Sequence, residues 1–88
     1  MGPKRAKALA EAMRLTDVQK VNLTYNRIDP KTGKMLVESF KPKLTDLNLE
    51  KNALGKDNSF VDALVEFFDL HNPCLSNLNL SDNGFSDR

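Results

Sequence analysis

Large apolar residues and one asparagine recur in the same order three times along the chain. The order is L-x-x-L-x-L-x-x-N-x-L, where L stands for a large apolar residue and x for any residue. The copies span 18–28, 44–54 and 75–85, and we call them the first, middle and last coil. Their asparagines are 26 and 31 residues apart, so the chain is a repeat with two intervals of unequal length.

The centre of each coil alternates apolar and polar residues, which is typical of a strand with one buried face. We therefore predict short parallel strands near 20–23, 46–49 and 77–80. In the middle coil, Leu47 and Leu49 should face the core. Asp46, Asn48 and Glu50 should face water, because they point to the other side of the strand.

The asparagine that ends each pattern, Asn26, Asn52 or Asn83, is predicted to have a structural role in the turn. Its side chain carries donors and an acceptor, so it can bond backbone N–H and C=O groups that a turn leaves unpaired. We expect each asparagine to serve its own turn and the coil that follows. Asn52 should then be buried and bonded on both sides, whereas Asn83 should have no following coil to serve.

The segments around the strands have the apolar spacing of helices, which we predict over 3–15, 30–40 and 59–71. Asp29 followed by Pro30 is a typical helix start, because aspartate caps the first turn and proline fits the first helical position. Ser59 and Asp62 have the spacing of a capping box at the third helix.

Apolar residues of these helices supply the candidate core. They are Ala6, Leu9, Ala10 and Met13 on the first helix, Met35, Leu36 and Phe40 on the second, and Phe60, Ala63, Leu64, Phe67, Phe68 and Leu70 on the third. The third apolar face is wider than a simple seam. Phe67 or Phe68 is therefore a candidate exposed anchor for a partner.

The net charge of +1 over 88 residues lacks the imbalance that marks nucleic-acid binders. Lys4, Arg5 and Lys7 form a short basic cluster, but Glu11 follows it and no aromatic residue is interleaved, which indicates a solvated helix face. No apolar run approaches the length of a membrane span, so we expect neither nucleic acid nor membrane as a partner. The single Cys74 favours a reducing compartment and an intracellular, cytoplasmic protein.

The residue pattern indicates neither catalysis nor a cofactor nor a metal site. The only histidine, His71, and the only cysteine, Cys74, are three residues apart with Pro73 between them, and no nucleophile has a paired base. His71 has no second ligand at metal-binding spacing. We therefore predict a non-enzymatic protein without a metal or cofactor.

Strand, asparagine turn and helix alternate here at intervals of 26 to 31 residues, and residues 2–13 look like the helical half of one more unit. In this the whole chain resembles the ribonuclease-inhibitor-like class of leucine-rich repeats, which includes repeat regions of NOD-like receptors, the Ran GTPase-activating protein and tropomodulin. Thr32 and Asn58 stand where that class usually has glycine. The resemblance implies an α/β solenoid with a short parallel sheet on its concave face, helices on its convex face and mostly protein-binding roles.

Residues 1–88 are then expected to form one leucine-rich-repeat unit. It consists of a partial repeat at 1–17, repeats at 18–43 and 44–74, and a partial repeat at 75–88. Because the chain opens on a helix and stops after the third asparagine turn, we expect further repeats or another chain to cover its ends.

The polar strand positions of the concave face are the candidate partner-binding residues. In parallel register they form three columns: Lys20, Asp46 and Asn77; Asn22, Asn48 and Asn79; and Thr24, Glu50 and Ser81. The asparagine column is either an amide ladder that stabilises the stack or a strip of donors and acceptors for a partner. We predict a non-enzymatic protein-interaction or scaffold segment, part of a larger leucine-rich-repeat protein or a multi-subunit assembly. The alternative is a regulator of a small GTPase, by resemblance to the Ran GTPase-activating protein.

Overall fold

The computed structural model describes residues 1–71 and 74–85, in which helices alternate with short strands. Along the chain the elements are α1 (Pro3–Leu15), β1 (Lys20–Asn22), α2 (Pro30–Val37), β2 (Asp46–Asn48), a 3₁₀ helix (Leu54–Lys56), α3 (Ser59–His71) and β3 (Asn77–Asn79). The predicted α/β class is confirmed for this part of the chain. Each strand is one residue shorter than predicted.

The three strands form one parallel sheet in the order β1-β2-β3. Lys20 pairs with Asp46 and Asp46 with Asn77, so equivalent positions of successive coils stand side by side. The helices follow the same order, because α2 packs against both α1 and α3. The chain therefore stacks its coils, with α1 and β1 at one end and α3 and β3 at the other.

The core lies between the sheet and the helices. Leu47 and Leu49 are buried, with 2% and 1% of their surface exposed, and they pack in one cluster with Phe60. Asp46 and Asn48 on the opposite side of β2 are half-buried. The predicted facing of the middle strand is thus confirmed.

Helices α1 and α3 have the predicted bounds, but α2 ends at Val37 instead of residue 40. The backbone tightens beyond that point, because the N–H groups of Ser39 and Phe40 bond the C=O groups three residues back, at 3.0 and 3.1 Å. The Ser39 hydroxyl also donates to the Met35 C=O at 3.2 Å. A serine that bonds the preceding turn favours such an ending over a continued helix. Met35, predicted as core, is half-buried, and Val37 is buried in addition to Leu36 and Phe40.

The predicted start of α2 is confirmed, whereas that of α3 differs in detail. Asp29 Oδ1 accepts the Thr32 N–H at 2.8 Å, and this hydrogen bond lowers the pKa of the Asp29 carboxyl below its ordinary value of 3.8. At α3, the Ser59 N–H donates to Asp57 Oδ1 at 2.8 Å. The hydrogen bonds of the described residues do not include the predicted capping box between Ser59 and Asp62, because the cap is supplied from two residues before Ser59.

Asn52 joins its own turn to the coil before it, not to the coil after it. Its Oδ1 accepts the N–H groups of Asn26 and Ile28 at 2.9 and 3.0 Å. Its Nδ2 donates to the C=O groups of Leu23 and Leu49 at 3.0 and 2.9 Å. The side chain is half-buried rather than buried.

Asn83 makes the equivalent contacts one coil later. Its Oδ1 accepts the Leu54 N–H at 3.2 Å, and its Nδ2 donates to the C=O groups of Leu49 and Leu80 at 2.8 and 3.1 Å. Only 3% of Asn83 is exposed. The expectation that the asparagines serve the coil that follows is therefore wrong, since Asn52 and Asn83 both reach back to the preceding coil.

The residue before each asparagine adopts a left-handed backbone conformation. Tyr25, Lys51 and Asp82 have φ angles of 62°, 59° and 57°. This conformation turns the chain away from the strand and is uncommon for residues other than glycine, asparagine and aspartate. Its recurrence at three equivalent positions indicates that the asparagine bonds hold the turn.

The apolar residues of the last coil are less covered than their equivalents in the middle coil. Leu78 and Phe85 are both 41% exposed, as expected for a strand with a neighbour on one side. On α3, Phe67 is buried at 5% exposure and Phe68 is 39% exposed, so of the two candidate anchors only Phe68 is accessible. None of the helices in residues 1–71 and 74–85 has the length and apolar content needed to cross a membrane.

Candidate protein-binding face

The polar positions predicted as partner-binding lie over one side of the sheet, which we call the open sheet face. Six of them line a shallow depression of about 390 Å³: Lys20, Asn22, Asp46, Asn48, Asn77 and Asn79. Thr24, Glu50 and Ser81 follow the strands, in the turns. The parallel register therefore brings the predicted strand positions together in columns.

The asparagine column is not an amide ladder. The Oδ1 atoms of Asn22, Asn48 and Asn79 accept the backbone N–H groups two residues further on, at 3.1, 3.0 and 3.0 Å. Each side chain thus closes a local turn at the end of its own strand. Among the described residues, the amide Nδ2 atoms of Asn22 and Asn48 have no hydrogen-bond acceptor, which leaves two N–H donor groups on the face.

Carboxylates in and just after β2 accept hydrogen bonds from amides of β3 across the sheet. Asn77 Nδ2 donates to Asp46 Oδ2 at 3.2 Å, and Asn79 Nδ2 donates to Glu50 Oε1 at 3.3 Å. Thr45, which the sequence analysis did not single out, donates its hydroxyl to Asp46 Oδ1 at 2.8 Å. These bonds hold the two carboxylates in place, so the face presents fixed acceptors near the middle of the sheet.

Tyr25 is a candidate contact residue that the sequence analysis missed. Its side chain is 72% exposed, while its backbone N–H donates to the Glu50 C=O at 3.0 Å. Tyrosine is enriched in protein interfaces, since it offers a large contact area and a polar tip. The available signal was that the only tyrosine of the chain immediately precedes the asparagine of the first coil.

A second, smaller cavity of about 140 Å³ lies between α2 and α3. His71 lies at its edge with its ring 5.5 Å from that of Phe67, and Glu38 and Glu66 also line it. The described residues contain no group of three or more His, Cys, Asp or Glu side chains that could hold a metal ion. Cys74 is an exposed free thiol, whereas Pro73 lies outside the described residues.

The comparisons with known proteins agree with the repeat pattern. The family model described as Leucine Rich repeat matches residues 71–88, the part of the chain that includes β3 and Asn83. No curated protein and no solved structure matches the chain. The match supports a leucine-rich repeat, and repeats of this family are typically non-catalytic protein-interaction modules.

Proposed function

We propose that the chain is a non-enzymatic protein-binding or scaffold segment that binds a protein partner through the open sheet face. The observation that carries this proposal is the alignment of the Lys20 and Asn22 columns over three adjacent strands, with the Thr24 column just after them. Such an array offers a protein partner closely spaced donors, acceptors and charges. The match to the leucine-rich-repeat family model supports the same conclusion.

The chemistry of the face suits a polar protein surface. Within the described part of the chain, the amide donors of Asn22 and Asn48 have no acceptor, and the carboxylates of Asp46 and Glu50 are held by hydrogen bonds. Interfaces combine such hydrogen-bonding groups with an aromatic anchor, which Tyr25 can provide at the end of the sheet. We infer that a partner would contribute acceptors opposite the amides and donors or a basic group opposite the carboxylates.

We further propose that the chain forms a curved solenoid of the ribonuclease-inhibitor-like class, in which the open sheet face is concave. The helix in each interval, α2 in the first and α3 in the second, supports this class. The proposed division is a partial repeat at 1–17, repeats at 18–43 and 44–74, and a partial repeat at 75–88, within a larger leucine-rich-repeat protein or an assembly. Residues 72, 73 and 86–88 of this division lie outside the described residues. The free thiol of Cys74 supports an intracellular, cytoplasmic setting.

Comparison of face variants with a matched control tests the proposed binding surface. Asn48→Arg places a long cation at the centre of the face, whereas Asn58→Arg makes the same change at an exposed position before α3. Proteins captured by the immobilised wild-type chain would be identified by mass spectrometry, and their affinity for purified variants measured by calorimetry. We expect Asn48→Arg and Tyr25→Ala to weaken binding at least about tenfold, which is 1.4 kcal/mol. Equal affinity of the Asn48→Arg and Asn58→Arg chains would contradict binding through this face.

Regulation of a small GTPase rests on the resemblance to the Ran GTPase-activating protein alone. Hydrolysis of GTP by candidate small GTPases, measured with and without the chain, tests this alternative directly. Acceleration that Asn48→Arg abolishes would assign the open sheet face to GTPase regulation instead of to scaffolding.

A further inference from the structure

A groove runs between α2 and α3, on the helix side of the core and away from the open sheet face. The cavity of about 140 Å³ between these helices, lined by Phe67 and His71, forms one part of it. A depression of about 300 Å³ adjoins the cavity, since Ala63 and Glu66 line both, and it extends to Ser59 at the start of α3. We call the two together the α2–α3 groove.

The C-termini of both helices meet at the cavity. Val37 is the last residue of α2 and His71 is the last residue of α3, and both line it. The last C=O groups of a helix have no partner within the helix, so its C-terminus carries a partial negative charge that stabilises cations. Two such ends at one cavity therefore favour a positively charged occupant.

The charged side chains that line the α2–α3 groove have the same sign. With histidine counted as neutral, the carboxylates of Glu38, Asp57, Asp62 and Glu66 line it against one lysine, Lys34. Within residues 1–71 and 74–85, the carboxylates of Glu38 and Glu66, which line the cavity, form no ion pair. Glu38 also follows the last residue of α2, where a negative charge is unfavourable. A cation in the cavity would offset that cost.

The lining of the cavity suits an arginine side chain. Phe67 supplies an aromatic wall, and Val37 and Leu70 supply apolar ones. An arginine packs its stem against apolar residues, while its planar guanidinium stacks on aromatic rings and donates to carboxylates such as those of Glu38 and Glu66. Lysine has a compact ammonium without the planar fork. The cavity is also smaller than the about 300–1,000 Å³ of most small-molecule pockets, which favours a single side chain as the occupant.

The rest of the groove suits the peptide backbone on either side of that arginine. The lining residues of the depression are polar except for Ala63. Helix α3 has 13 residues and is therefore about 20 Å long, a distance that about six residues of an extended peptide cover. We propose that the α2–α3 groove binds an extended segment of a protein partner whose arginine side chain enters the cavity between Glu38 and Glu66. This site is separate from the open sheet face and does not depend on the function proposed for that face.

An array of acetylated hexapeptides tests the proposed ligand. The third residue of each peptide is arginine, lysine or citrulline, which has the shape of arginine without its charge, and the other positions vary. The full chain is applied to the array, and the affinity for the best arginine peptide and its two analogues is then measured by calorimetry. We expect the citrulline analogue to bind at least about tenfold more weakly and the lysine analogue to be intermediate. An array without arginine-dependent binding would overturn the proposal.

Two variants of equal net charge separate the cavity carboxylates from general attraction. Glu38→Gln with Glu66→Gln neutralises both at nearly constant size and should weaken the best arginine peptide at least about tenfold. Because both side chains are exposed, the thermal melt should stay unchanged. Glu11→Gln with Asp69→Asn makes the same change in net charge at exposed positions outside the groove and should leave affinity unchanged. Equal losses in the two variants would overturn the proposal.

Amide chemical shifts of the chain locate the bound peptide and separate this site from the open sheet face. We expect the best arginine peptide to shift the signals of Glu38 and Leu70 while those of Asn22 and Asn48 stay in place. Asn48→Arg should leave the affinity for this peptide unchanged, whatever its effect on partners of the open sheet face. Shifts confined to the open sheet face would overturn the groove as the binding site. Spermidine that binds as tightly as the peptide would also overturn the proposal, because the groove would then be a site for a free cation.

Discussion

The middle and last coils carry the same pattern but differ in how their apolar residues are covered. Leu47 is 2% exposed and Leu54 is fully buried, whereas their equivalents Leu78 and Phe85 are both 41% exposed. The reason is position, because β2 has a strand on each side and β3 has one neighbour in the described sheet. The apolar residues of the last coil are therefore left accessible on the side where the described sheet has no further strand.

The asparagines of the same two coils show the opposite trend. Asn83 in the last coil is 3% exposed, whereas Asn52 in the middle coil is half-buried. Both reach back to the preceding coil with their side-chain amides. The asparagine contacts thus depend on the preceding coil, so the last coil keeps the amide bonds to it. Apolar packing and turn bonding consequently respond differently to the end of the stack.

The largest expected effect comes from truncating equivalent leucines in the two coils. Leu47→Ala should cost about 2–5 kcal/mol of unfolding free energy, since it leaves a cavity in the core. Leu78→Ala should cost about 1 kcal/mol or less, because much of that side chain already contacts water. Urea denaturation of the dilute monomer measures both. Similar costs would show that the last coil is as well packed as the middle one.

The asparagine variants should lose intermediate amounts of unfolding free energy. These losses should not follow the difference in apolar burial between the two coils. Asn52→Ala and Asn83→Ala should each cost about 1–3 kcal/mol, because backbone groups of two coils lose their partners. Asn26→Ala is the matched comparison and should cost less than about 1 kcal/mol, since among the described residues Asn26 Nδ2 donates to the Thr24 C=O of its own turn alone, at 3.1 Å. Denaturation curves would contradict the backward-reaching role if Asn26→Ala were the most damaging of the three.

The smallest effect is expected at the start of α2, where the contact is local to one turn. Asp29→Ala should cost about 1 kcal/mol near neutral pH, because the Thr32 N–H loses its cap. The pKa of Asp29 is lowered in the folded chain, so its ionised form is stabilising above the unfolded value of 3.8, and this contribution is lost as the pH falls below it.

Asp29→Asn separates this titration from capping itself, since asparagine caps helices without ionising. The difference in stability between wild type and Asp29→Asn should decrease as the pH falls below 3.8. Melting temperatures across this range measure it. A difference that grows towards acid would show that the carboxylate is not stabilised in the fold.

Much of the fold follows from spacing that can be read in the chain. The bounds of α1 and α3, the parallel register of Lys20 with Asp46, and the burial of Leu47 all agree with the pattern. The candidate face could be assembled from the register, because each polar strand position recurs once in every coil. The exposure of Tyr25 could not be predicted in this way, since it depends on a left-handed turn that periodicity does not encode.

By itself the sequence determined the class of structure. The alternation that indicates a strand and the spacing that indicates a helix are local patterns, each visible within a few consecutive residues. Only the tertiary structure decided the direction in which Asn52 and Asn83 bond and the accessibility of Phe68 but not Phe67. Each of these properties depends on which coil lies beside which, and that is set by packing between residues far apart in the chain.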